Sequence, residues 1–281
     1  MQLLRKLYYA LTPNARLLAR RLFFFPYDFY SYLFKSEKEL VPPRGMIFIG
    51  SGDFVKQGNH LLQLVIDLTG LSPEGSILDI GCGIGRLAVP LTGYLNHQGH
   101  YEGFDIVKTG IDWCNKNIAS KYPNFHFLWI NLKNDLYNLS TKQESTSFIF
   151  PYSKNSFNSI VLTSVFTHMM PKDVKHYLSQ ISNVLHPNGK CMATFFILNQ
   201  DIKARMNNYE TEFNFKYTYE GYYLMDSKVK EANVAYEESF LYDMVNECRL
   251  KITSLHRGSW TGNKEALDFQ DVVIIEKKQL L

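Results

Sequence analysis

The segment Ile77-Leu78-Asp79-Ile80-Gly81-Cys82-Gly83-Ile84-Gly85-Arg86 constrains this chain more than any other. An apolar, strand-like run enters a turn with glycine at every second position, and an apolar helical pattern follows. Without Cβ atoms, Gly81, Gly83 and Gly85 permit positive φ, and a ligand can lie directly against the backbone at the carboxyl end of the strand. A strand–turn–helix unit of this kind belongs to an α/β architecture. Spacing then separates the candidate ligands. A dinucleotide fingerprint is G-x-G-x-x-G, whose sixth position is here Arg86, and the G-K-[ST] of a phosphate-binding loop is missing. Asp79, two residues before Gly81, would repel a pyrophosphate but can accept from an amino group. The turn therefore suits a zwitterionic amino-acid moiety.

Periodicity places the rest. Leu4, Leu7, Tyr8 and Leu11 share one helical face and Leu18, Leu22 and Phe25 another, so the chain is expected to start as two amphipathic helices broken near Pro13. A helix over His60–Leu71 follows a loop marked by Pro42-Pro43 and Gly50-Ser51-Gly52. Strands are expected at Ser76–Ile80, His100–Asp105, Phe125–Ile130, Phe157–Ser164, Lys190–Ile197, Leu250–His256 and Asp271–Glu276. Helices are expected at Gly83–Leu95, which Pro90 should kink, and at Thr109–Lys121, Pro171–Leu185 and Glu237–Cys248. This alternation predicts a doubly wound, mostly parallel seven-stranded sheet with an N-terminal helical extension. The extension is assigned to residues 1–45 and the α/β domain to 46–281, with an insertion over about 199–235, polar and aromatic around Asn207–Tyr223, that reads as a lid.

The turn and its surroundings resemble the class I S-adenosylmethionine-dependent methyltransferases, whose first motif is a strand ending in acid-x-Gly-x-Gly-x-Gly; the resemblance runs from about Gly52 to Glu276. It implies a Rossmann-like fold, S-adenosylmethionine as cofactor and no metal. By motif match, Asp79, Gly81, Cys82, Gly83 and Gly85 would hold the methionine part of the cofactor. Asp105, closing Tyr101-Glu102-Gly103-Phe104-Asp105, matches the second-strand acid that holds the ribose hydroxyls, and Ile106 follows it. Asn131 stands where the family places an Asp that bonds the adenine amino group; its carbonyl oxygen can accept instead, Leu132 follows it, and Asp135 is the alternative. Thr163 and Ser164 follow the fourth strand, where the family lines the channel between donor and acceptor, and His168 is the candidate general base, weighed against a packed histidine.

Missing motifs narrow the acceptor. Thr163-Ser164-Val165-Phe166 replaces the [Asn/Asp/Ser]-Pro-Pro-[Tyr/Phe] turn of base and amide methylation, there is no Pro-Cys pair, and no Asp ends the fourth strand as in metal-dependent catechol-type enzymes. Metal-independent transfer to a small-molecule or lipid- or glycan-linked acceptor is expected, with nucleic acid disfavoured. RNA or protein methylation, a non-catalytic cofactor-binding protein and an NAD-dependent oxidoreductase are the alternatives.

Composition adds two points. With 46% hydrophobic and 20% charged residues the chain can bury a core, and its net charge of +3 hides a split. Residues 1–36 hold Arg5, Lys6, Arg16, Arg20, Arg21 and Lys35 against Asp28, so the start is basic as well as aromatic and suits an anionic membrane surface or an accessory helical layer. No segment reads as transmembrane, a secretory signal is not expected, and Cys82, Cys114, Cys191 and Cys248 form no C-x-x-C. A cytoplasmic protein, peripheral to a membrane at most, is expected.

Overall fold

In the computed structural model, which describes residues 12–34, 40–48, 52–134, 137–208 and 210–279, the apolar run ahead of the glycines is strand β1 (Ser76–Ile80), buried from Ile77 onward. Burial on both faces explains its lack of alternation: it pairs in parallel with β2 (His100–Asp105) on one side and β4 (Phe157–Leu162) on the other. Beyond β2 lies β3 (Phe125–Trp129), and beyond β4 lies β5 (Leu185–Phe195), both parallel to their neighbours. Two late strands, β10 (Leu250–His256) and β11 (Asp271–Lys277), complete the order β10-β11-β5-β4-β1-β2-β3, with β11 antiparallel to both β5 and β10. The expected seven-stranded sheet is present. Its order reverses between β1 and β4, and the crevice at the carboxyl ends of these strands is where open α/β sheets take ligands.

Helix α1 (Pro13–Phe34) precedes α2 (Phe54–Thr69), α3 (Ala88–Tyr94) and α4 (Lys108–Cys114). The last three cover one face through Val65, Ala88 and Ile111, packed on Ile77, Val161 and Met192. Helices α5 (Pro171–Val184) and α7 (Glu238–Glu247) cover the other through Val174, Leu178 and Leu241, against Leu78, Ile160 and Ala193.

Several boundaries differ from the expected ones for local reasons. Helix α2 begins at Phe54 rather than His60 because Asp53 caps it, its carboxylate accepting from the Lys56 amide at 2.8 Å; Gly70, at φ +73°, ends it. The helix expected from Gly83 starts only at Ala88, since Gly81, Gly83 and Gly85 all have positive φ. Pro90 thus falls in the first turn, where its missing N–H costs no hydrogen bond, and the expected kink has no cause. Helix α4 passes at Asn115–Ala119 into a π-turn. Strand β5 starts at Leu185 and carries Pro187-Asn188-Gly189 as an excursion between the pairings Phe157–Leu185 and Ser159–Lys190.

The expected lid is a structured unit. Strands β6 (Ile197–Leu198), β7 (Tyr217–Thr218), β8 (Tyr222–Leu224) and β9 (Val234–Glu237) form a second sheet in the order β6-β9-β8-β7, accompanied by α6 (Gln200–Asn207). Its aromatics make a core of their own, in which Phe196 meets the rings of Phe213, Phe215 and Trp260 at centroid distances of 5.2–5.3 Å. Fully buried Asp271 ties this unit to the main sheet, accepting from the amides of Ile197 and Gly258, each at 2.8 Å, and from Trp260 Nε1 at 3.0 Å.

Of the expected N-terminal pair, the helix bearing Leu4, Leu7, Tyr8 and Leu11 lies outside the described residues. The second is α1, longer than expected and starting at Pro13, the position where proline fits a helix best. Asp28 holds it to the body, accepting from the amides of Arg44 at 2.8 Å and Gly45 at 2.9 Å. No helix among the described residues is long and apolar enough to cross a membrane.

Candidate active site

The carboxyl ends of β1, β2 and β4 open into a cavity of about 270 Å³. One wall comes from the glycine turn and the two strand-end acids. Asp79, next to last in β1, is 5% exposed and its Oδ2 accepts from the Tyr101 hydroxyl at 2.8 Å. Burial pushes its carboxyl up to about 7, the Tyr101 hydrogen bond opposes this, and the neighbouring Asp105 charge adds to it. Asp105 closes β2; its Oδ2 accepts from the Gly83 amide at 2.8 Å and its Oδ1 from the Val107 amide at 2.7 Å. Burial pushes it up to about 6 against those backbone hydrogen bonds. Each carboxylate oxygen keeps a second acceptor site, so Asp105 can brace the turn and still receive two hydroxyls.

The turn is shaped by what surrounds it. At Gly81, φ is +74° and a Cβ would sit 2.4 Å from Val165 Cγ2, which leaves only glycine. Asp79, Gly81, Cys82, Asp105, Ile106, Leu132, Thr163, Ser164 and His168 line the cavity as expected from the sequence. Gly83 and Gly85 do not reach it. Gly83 supplies the amide that anchors Asp105, while a Cβ at Gly85 would press on Cys114 Sγ at 3.0 Å and Ile118 Cδ1 at 3.1 Å, so its smallness serves the packing of α4.

Asn131 is the main correction. It is exposed and off the cavity, its Oδ1 accepting from Asn138 Nδ2 at 2.9 Å, because the chain past β3 turns outward there. Lys133, Asn134 and Tyr137 take that side of the wall; Asp135 lies outside the described residues. Nothing in the sequence distinguishes Asn134 from other loop amides, and it enters the site through a distant contact, its Nδ2 donating to the His168 carbonyl at 3.1 Å.

The other wall follows β4. Ser164 sits at φ +57°, a conformation non-glycine residues seldom adopt, held by Thr194 Oγ1, which accepts from its amide at 2.8 Å. Thr163 Oγ1 is buried with no hydrogen-bond partner. His168 is half-buried, and its Nδ1 lies 2.9 Å from the Glu231 carbonyl oxygen. A carbonyl can only accept, so Nδ1 carries the proton and Nε2 is the ring's acceptor; burial lowers the imidazole below its ordinary value and keeps it neutral. Tyr137 stands edge-on to the ring at 5.7 Å. The insertion touches the wall here through Glu231, while no described residue of Asn207–Tyr223 lines the cavity, and of the aromatics expected over a substrate Phe213, Phe215 and Tyr223 pack into a separate core.

The cavity fits the cofactor expected from the sequence. Two buried carboxylates suit an ammonium and a pair of hydroxyls, the unpartnered Thr163 hydroxyl needs a polar neighbour, and the glycine turn leaves backbone exposed to a ligand.

A family model described as a methyltransferase domain matches residues 71–247. The 2-phytyl-1,4-naphtoquinone methyltransferase of Trichormus variabilis is 24% identical over 140 residues, covering 49% of this chain and 55% of that protein. The ubiquinone/menaquinone biosynthesis C-methyltransferase of Wigglesworthia glossinidia brevipalpis is 25% identical over 146 residues, 51% of this chain and 52% of that one. The chain thus spans about half the length of the curated relatives it matches. Among solved structures, a Pyrococcus horikoshii protein superposes with a TM-score of 0.56 at 12% identity, covering 89% of this chain and 98% of its own. The 1,6-didemethyltoxoflavin-N1-methyltransferase of Burkholderia thailandensis gives 0.50 at 13% identity over 96% and 92% of the two chains. These two likenesses are of fold.

Proposed function

Since this chain belongs to the class I methyltransferase-domain family, matched over residues 71–247, we propose that it transfers a methyl group from S-adenosylmethionine to a small organic acceptor. The observation that carries the reading is the convergence of Asp79, Asp105 and the glycine turn on one cavity that also receives His168. When bound, the cofactor supplies an electrophilic methyl group on a sulfonium; displacement by the acceptor needs alignment and exclusion of water more than acid–base chemistry.

The protein's part follows from the two walls. Asp79, once ionised, pairs with the ammonium of the amino-acid moiety, and Asp105 accepts from the ribose hydroxyls while its grip on the Gly83 amide fixes the turn. His168, neutral and with Nε2 as acceptor, takes a proton from an acceptor carbon or oxygen that must lose one. The quinone-directed names of the two curated relatives support a small-molecule acceptor, and a ring-bearing acceptor suits the apolar surfaces of Ile130, Leu132, Met169 and Tyr177.

Calorimetric titration with S-adenosylmethionine tests the donor half: saturable binding by the wild type and loss in Asp105→Ala are expected, and absence of binding by the wild type overturns the reading. Incubation with methyl-labelled cofactor and fractionated cell extract tests the acceptor half, with label expected in a small-molecule fraction and not in RNA or protein.

A further inference from the structure

Among the described residues, helix α1 carries an apolar surface exposed to water. Phe23 is 78% exposed, Phe34 70% and Leu22 67%, and Phe25, Phe29, Tyr30, Tyr32 and Leu33 are exposed with them. These side chains amount to an apolar surface on the order of 1,000 Å², about twice the largest patch a protein surface ordinarily leaves to water. At 100° per residue the exposed apolar positions cover an arc of roughly 200°, with Arg16 and Arg21 at its two edges. The opposite, narrower face, with Arg20, Phe24 and Asp28, is the one turned to the body.

A second observation adds charge. Between α1 and α4 runs a cleft of about 730 Å³ whose walls include Arg21, Lys116 and Lys121 together with Tyr32 and Trp113. The acid on that wall, Asp112, is engaged by Lys108, whose ammonium lies 2.7 Å from it, so the cleft presents net positive charge.

We propose that α1 docks on an anionic lipid surface, its apolar arc embedded in the headgroup–acyl boundary and the cleft cations facing lipid phosphates. A second copy of the chain fits less well. A helix pair buries a seam much narrower than this arc, and the acid of α1, Asp28, is spent on the Arg44 and Gly45 amides and unavailable to pair with a partner's arginines. Arginine edges beside a wide Phe, Tyr and Leu face are the features of a helix lying in a membrane interface. The segment joining α1 to the body lines the cleft with Val41 and Met46 and the catalytic cavity with Phe48, so docking would also fix where that cavity stands relative to the bilayer. The proposal stands whether or not the cavity transfers a methyl group.

The test is co-sedimentation of the full chain with phosphatidylcholine vesicles, with and without phosphatidylglycerol. Binding is expected to the anionic vesicles, weakening with salt. Phe25→Ser, Phe29→Ser and Leu33→Ser together should lower partitioning at least about tenfold, and Arg21→Glu with Lys116→Glu should abolish the preference for phosphatidylglycerol. Both variants should keep the wild-type melting temperature, which separates lost docking from lost fold. Failure of the wild type to bind anionic vesicles, equal binding by the triple serine variant, or a wild-type dimer that this variant splits without any vesicle binding would each overturn the proposal.

Discussion

The two walls of the cavity are made in opposite ways. The donor wall is local: Asp79 and the glycine turn are consecutive, and Asp105 reaches them because β2 pairs with β1 in register, Ile80 opposite Phe104. Asp105 accepts from the backbone amides of Gly83 in the turn and of Val107 just past β2, and Asp79 from the hydroxyl of Tyr101 on the paired strand. The acceptor wall is assembled from pieces that are distant in the chain, with His168 held by Glu231 and touched by Asn134, and Ser164 held by Thr194 and Gln270. A wall built from backbone geometry changes little with side-chain identity elsewhere, whereas one built from long-range side-chain contacts can be re-formed for a new substrate. On the proposed function, donor binding and acceptor choice should then be separable, and substitutions should report on one or the other.

The largest expected effect is on the acceptor wall. His168→Gln should lower kcat about 10²–10⁴-fold with an acceptor that must be deprotonated, while calorimetry finds donor affinity unchanged. A fall in donor affinity of the same size would merge the two walls and end the distinction. Next comes Asp105→Ala. Two hydrogen bonds to a charged group, each worth about 1.5–3 kcal/mol, disappear, so donor binding should weaken at least about 100-fold. A variant that methylates normally at saturating donor would sharpen the comparison.

The same contrast explains what could be read from the sequence. All seven strands of the main sheet were legible, because β1, β4 and β5 are apolar runs and β2 ends in a motif acid. Of the donor wall, Asp79, Gly81 and Asp105 were legible as well. Asn131, expected at the site, is off the cavity and bonded to Asn138, seven residues on, and Lys133, Asn134 and Tyr137 line that side, a placement set by contacts that the motif does not contain. The lid was recognised by composition, yet three of the aromatics expected over a substrate, Phe213, Phe215 and Tyr223, belong to the core of a small sheet. Phe215 is 2% exposed and the equally aromatic Phe23 of α1 is 78% exposed, a difference that rests on Trp260 and Phe269 arriving from the far end of the chain. Composition carries no record of that.

Gly110 was not legible either, and it gives the third prediction. A Cβ there would lie 2.3 Å from the Gly83 carbonyl oxygen, so α4 presses its glycine directly on the donor turn. Gly110→Ala should cost about 1–3 kcal/mol in a urea titration, the usual range for overpacking, and should weaken donor binding through the displaced Gly83 amide without changing the acceptor profile. Destabilisation with wild-type donor affinity would show that the turn is held by Asp105 alone.

The smallest effect expected is graded with pH and belongs to the donor wall. Asp79 and Asp105 have carboxyls raised to about 7 and about 6, chiefly by burial. In the unliganded protein the native state keeps protons that the unfolded chain loses near pH 4, so what these acids contribute to stability is fully present below that pH and is lost as pH rises through about 6 and then 7. Donor binding has the opposite sign, because an ammonium and a pair of hydroxyls favour the ionised carboxylates. Affinity for S-adenosylmethionine should therefore fall as pH drops through this window, by up to about tenfold per pH unit for one coupled proton. Calorimetry in buffers of different ionisation enthalpy measures the proton released, and Asp79→Asn should flatten the upper part of the profile. His168 lies on the other wall, and His168→Gln should leave the donor profile where it is. Equal affinities at pH 5.5 and 8 would mean that the donor is held without ionising either acid, and the backbone of the glycine turn would then have to supply the whole of the donor wall's grip.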